Sequence, residues 1–126
     1  TTDFQKQQIM ECYERLRKFV SDMDIEDENV YYDIRNMIEV KKIALPTAVY
    51  KAMMNFMDQV VEPYVFEDTT EIFSEEEAKR NEKGIVEIKS EQAFQKLMVR
   101  FMEKLSELDA KIETFAESEL KPYLER

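Results

Sequence analysis

The sequence predicts an all-α fold: an irregular bundle of about four main helices, with a long C-terminal helix and an irregular excursion over 63–90. Three observations predict it. Apolar residues recur at alternating steps of three and four along most of the chain. Turn formers are scarce, with one Gly and three Pro, which leaves too little turn chemistry for an all-β fold. Glu, Lys, Leu and Met, all good helix formers, are abundant. A chain of 126 residues is the size of a single domain, 1–126, and its 44% hydrophobic content, with eight Phe and six Tyr, is enough for a core.

The C-terminal stretch carries the longest pattern. Phe94, Met98, Phe101, Leu105, Leu108, Ile112 and Phe115 form one stripe. Ser90 is placed to cap it and Glu91 suits its first turn, which gives a helix over about 91–121. As a heptad it lacks the flanking charges of a zipper, and three Phe are bulky for a narrow seam. The expectation is therefore a bundle helix whose residues near 94–108 pack within the chain.

Thr2 and Gln5 have capping-box spacing ahead of Ile9, Cys12, Leu16, Phe19 and Met23, so a first helix runs over about 3–23, widened by Tyr13 and Val20. Asp22, Asp24, Glu26, Asp27 and Glu28 make an acidic turn. A second helix over about 28–43 carries Val30, Tyr31, Ile34, Met37 and Ile38, and Leu45-Pro46 stops it. Pro46 opens a third helix over about 46–62, which Pro63 ends. That helix has two apolar stripes: Val49, Met53, Phe56 and Val60, and beside them Tyr50, Met54, Met57 and Val61. It is either buried on two sides or offers the second stripe to a partner. Within 63–90, Ser74 starts a short helix that Gly84 reverses, and Tyr64-Val65-Phe66 pairs with Ile85–Ile88 as a small ribbon.

Composition excludes several chemistries. With no His and one Cys, the chain has no Ser-His-Asp or Cys-His pair and no structural zinc set. One Gly rules out a glycine-rich phosphate loop. The acid run resembles a calcium loop in spacing but places Asp27 where the sharp turn needs glycine. No catalytic residue, metal ligand or cofactor is therefore assigned. Cys12 lies on an apolar stripe and reads as a buried structural thiol. Ser74 before three Glu has the look of an acid-directed phosphorylation site, but a helix cap accounts for it.

The net charge is −10, from 28 acids against 18 bases. Direct nucleic-acid or anionic-membrane binding is disfavoured, and a protein with a basic surface is the expected partner. No apolar run reaches a membrane span and no signal-type segment is seen, so a cytoplasmic setting is expected. The leading expectation is a non-enzymatic protein–protein interaction module, an acidic adaptor or inhibitor. Anti-restriction, anti-CRISPR and immunity-type proteins share its size and charge by analogy alone. The expected partner-binding residues are Tyr50, Met54, Met57, Val61, Tyr64 and Phe66, with a homodimer as a second arrangement. The alternatives are a small carboxylate-dependent enzyme or metal binder, and a structural subunit of a larger assembly.

Overall fold

The computed structural model describes residues 1–125. The described residues are mostly helical, with one two-stranded hairpin and irregular stretches on either side of it. Its elements are α1 (Asp3–Ser21), α2 (Glu28–Val40), α3 (Thr47–Phe56), α4 (Glu62–Val65), β1 (Ala78–Arg80), β2 (Val86–Ile88), α5 (Glu91–Phe115) and α6 (Lys121–Leu124). The chain divides into two compact units. One is Thr1–Phe66 with the segment from Leu105 onward; the other is Glu67–Lys104. The second has pairings of its own, the hairpin and the ion pairs of Glu67 and Asp68.

The caps read from the sequence are present. Thr2 and Gln5 exchange both capping-box bonds. Asp27 accepts from the Asn29 and Val30 amides to open α2, and Ser90 accepts from the Ala93 amide to open α5. Each satisfies amides that the first helical turn leaves without partners. Pro46 sits one residue before α3, at its cap position.

In the first unit α2 packs against α1 and α3, and α1 against α6. Ile9, Cys12, Leu16 and Phe19 of α1 are buried against this core, as are Tyr31, Ile34 and Ile38 of α2. Met23, expected on the α1 stripe, is exposed because α1 closes two residues earlier. Met23 takes φ +60°, its amide bonds the Val20 carbonyl, and the Asp24 amide bonds Phe19. That is a left-handed helix stop with Met where Gly is usual. Ile25 then turns inward and is fully buried in the middle of the acid run.

Pro63 does not end the third helix. The chain continues through a π turn, Met57–Val61, into α4. The last helix does the same at Ala116–Leu120 before Pro122. In each turn a bond spans five residues, from the Glu62 amide to the Met57 carbonyl and from the Lys121 amide to Ala116. Proline lacks an N–H and its ring clashes with the carbonyl four residues back; the wider turn relieves both. The two junctions share an order of apolar, charged, Pro, Tyr, apolar: Val61-Glu62-Pro63-Tyr64-Val65 and Leu120-Lys121-Pro122-Tyr123-Leu124.

Tyr64 and Val65, expected in a strand, are therefore helical and buried. The ribbon pairs Ala78–Arg80 with Val86–Ile88 instead, antiparallel, with Ala78 opposite Ile88. Ser74 does donate its amide and hydroxyl to the Glu77 carboxylate in a cap-like contact, but the chain makes one turn and becomes β1. Gly84 reverses the hairpin, not a helix. Its φ of +78° and the Asn81 side chain, which accepts from the Lys83 and Ile85 amides, hold the loop.

Candidate functional site

The residues expected to meet a partner are mostly occupied within the chain. Met57 and Val61 are fully buried, and Met54 and Tyr64 nearly so. Tyr31 donates its hydroxyl to the Met57 carbonyl, which ties α2 to this part of the third helix. Of the two roles open to a doubly apolar helix, burial on two sides is the one taken. Tyr50 is half-buried, with its hydroxyl on Glu39 and the Lys42 ammonium over its ring. Phe66 alone of the set is exposed, stacked edge-on against Tyr31 and Tyr32.

A run of neighbouring exposed apolar side chains lies elsewhere, on the first half of α5. Phe94 is 52% exposed, Met98 42%, Val99 58% and Met102 51%. Phe94, Met98 and Met102 follow at four-residue steps, so they share one side of the helix, with Gln95 and Val99 beside them. None of these five residues is charged. Ile72 and Val99 line the same hollow, of about 400 Å³, and Ile72 is itself exposed. The stripe runs on to Leu105, Leu108 and Ile112, which are buried. Its first half thus departs from the expectation that residues near 94–108 pack within the chain. Periodicity identifies an apolar face but not whether anything covers it.

A second concave feature lies wholly in the first unit. Between α3 and the end of α5 runs an open groove of about 720 Å³. Its floor is the ring pair Phe56 and Phe115, whose centroids are 4.4 Å apart. Small side chains, Ala110, Thr114 and Ser118 at four-residue steps with Ala52 opposite, leave the space open. Each wall includes part of a π turn: Val60 from the first, Ser118 and Glu119 from the second. Glu107 and Glu119 stand on the rim. Lys111, the one cation in the lining, has its ammonium 5.0 Å from the centre of the Tyr64 ring. Sequence reasoning missed this groove, although the four-residue run of small residues from Ala110 was a visible signal.

Several titratable groups tie one element to another. Glu113 accepts from the Tyr13 hydroxyl at 2.6 Å and from Arg17. Those bonds, Tyr13 first, hold its carboxyl below the usual range and raise the Tyr13 phenol. Lys41 bonds both Gln8 and Glu11 of α1, and Arg35 bonds Asp58. Burial pushes the Cys12 thiol up to about 11, so it is not a nucleophile near neutral pH. Arg15 Nη1 is the one buried side-chain polar atom without a hydrogen bond among the described residues.

Among the described residues no group of three or more His, Cys, Asp or Glu is arranged to hold a metal ion. No described helix is long and apolar enough to cross a membrane. Comparison of the chain with family models, curated proteins and solved structures gives no match, and the functional argument rests on these residues.

Proposed function

We propose that the chain is a non-enzymatic protein-binding module, an acidic adaptor or inhibitor, that docks a partner through the first half of α5. One observation carries this: Phe94, Met98, Val99 and Met102 are four large apolar side chains in one uncharged strip, each at least two-fifths exposed. Single exposed apolar residues are ordinary, but a contiguous patch on an otherwise highly charged chain marks an interaction surface. Methionine suits such a surface because its flexible thioether adapts to the opposing shape.

The surrounding charge favours a basic partner. The chain carries −10, and Glu91 and Glu103 of α5 are exposed near the strip. Long-range attraction then speeds encounter, and the apolar strip supplies the contact that lasts.

The test is site-specific photo-crosslinking in the source cells. A benzoylphenylalanine at Val99 should give one discrete protein adduct, and the same group at exposed Glu14 of α1 should not. The adduct should disappear when Phe94→Asp is added. Equal adducts from both positions, or none from Val99, would exclude the strip as the docking surface.

A further inference from the structure

We propose that the exposed rings of Tyr32 and Phe66, with the carboxylates of Glu28 and Glu62, form a binding site for an arginine side chain of a basic partner protein. The site lies wholly in the first unit, on residues other than the α5 strip, and does not rest on it.

Three rings build the site. Tyr31, Tyr32 and Phe66 meet edge to face in every pair, with centroids 5.2, 5.6 and 6.1 Å apart. Tyr31 is the fixed member, 2% exposed, with its hydroxyl donated to the Met57 carbonyl. It holds the other two rings at the surface, where Tyr32 is 50% exposed and Phe66 39%. The face of an aromatic ring is its negative side and attracts a cation set over it.

Helical spacing brings the carboxylates in. Glu28 stands four residues before Tyr32 on α2. Glu62 stands four before Phe66, and the Phe66 amide bonds the Glu62 carbonyl, so the turn between them is helical. Residues four apart share one side of a helix, and the later side chain leans back over the earlier. Burial first, and the Glu62 charge after it, raise the Tyr31 phenol, which puts the Glu62 carboxylate close to the cluster. Among the described residues the carboxylates of Glu28 and Glu62 make no hydrogen bond or ion pair. The cation beside Tyr31, Arg35, is held by Asp58, with its Nε 3.0 Å from that carboxylate. Two carboxylates and two open rings thus stand together without a cation of the chain's own.

Shape selects arginine. A quaternary ammonium group is held by a cage of rings on several sides. Here Tyr31 is buried and offers no open face, which leaves two rings inclined at 61°. A planar guanidinium stacks on one open ring and keeps its N–H fork free for a carboxylate. A lysine ammonium has no plane to stack and holds its water more strongly.

The experiment titrates the full chain with three capped amino acids, the N-acetyl amides of arginine, lysine and trimethyllysine, at equal ionic strength. Binding is followed by NMR of the Tyr and Phe rings and of the methionine methyls. One side chain on an open surface binds weakly, at roughly millimolar affinity. The arginine probe should move the Tyr32 and Phe66 rings saturably and bind several-fold more tightly than the lysine probe. Tyr32→Leu keeps the apolar bulk at an exposed position and removes the ring face. It should weaken the arginine probe about two- to fivefold, the size of an exposed cation–π contact. The double variant Glu28→Gln/Glu62→Gln, at two exposed positions, should weaken it several-fold. Met98→Asp should leave it unchanged, so failure of this site and failure of the α5 strip are read separately. The proposal is overturned if the arginine shifts do not saturate, or if they spread evenly over the acidic surface. It is also overturned if lysine binds as tightly, if trimethyllysine binds more tightly, or if either variant binds arginine as the parent does.

Discussion

Glu67 and Arg100 meet side-on, with both carboxylate oxygens 3.0–3.1 Å from the guanidinium Nε. The same carboxylate lies 3.7 Å from the ammonium of Lys104, a lysine only 1% exposed. A buried ammonium is tolerated only with an opposite charge beside it. The bonds from Arg100 first, and the charge of Lys104 after them, hold the Glu67 carboxyl below its ordinary value of 4.5. Its stabilising contribution is complete above that value and is lost as pH falls through the lowered folded value. Glu67→Gln should remove about 2 kcal/mol at neutral pH, less than a fully buried pair because Glu67 is a quarter exposed. Urea unfolding at pH 7 and at pH 3 checks this: the gap between parent and variant should narrow in acid.

Met23 should respond to glycine. It holds the left-handed stop of α1 at φ +60° with an exposed side chain, so its Cβ adds strain and its side chain adds little packing. Met23→Gly should raise stability by about 0.5–1 kcal/mol. Thermal unfolding measures it, and a fall in melting temperature would show that the Met23 side chain packs after all.

Cys12 should be silent to a thiol reagent until the first unit opens. The side chain is fully buried and its thiol titrates at about 11. Reaction with a disulfide reagent at pH 8 should follow the opening rate and quicken steeply with denaturant. Fast labelling without denaturant would place Cys12 at the surface.

The first unit was largely legible in the sequence because its signals are local. Thr2 and Gln5 cap as their spacing requires, and the stripes of α1 and α2 are the core. The prolines misled because a π turn, which spacing does not reveal, carries the helix past Pro63 and on into Tyr64 and Val65. The hairpin was half legible: Val86–Ile88 is a strand, but its partner is the polar Ala78–Arg80, which lacks any apolar alternation. The site was the least legible part. Met57 and Met98 look alike as stripe residues, yet one is fully buried and the other 42% exposed, a difference set by tertiary packing.

Salt should separate steering from contact at the α5 strip. Association with the crosslinked partner should slow as ionic strength rises, because steering by a chain of charge −10 is screened beyond about 8–10 Å. Dissociation should change little, since the strip is uncharged. An on-rate indifferent to salt would make the acidity a matter of solubility alone.

The central claim is that the partner covers the first half of α5 and leaves the third helix in the core. Methyl NMR of methionine-labelled protein tests it directly, because the chain carries reporters in both places. Met98 and Met102 are exposed on α5, while Met53 and Met57 are buried in α3 and its π turn. On titration with the crosslinked partner, the Met98 and Met102 methyls should shift or broaden and those of Met53 and Met57 should stay in place. Movement of Met53 and Met57 with Met98 and Met102 unperturbed would contradict the account and put the interface on the third helix.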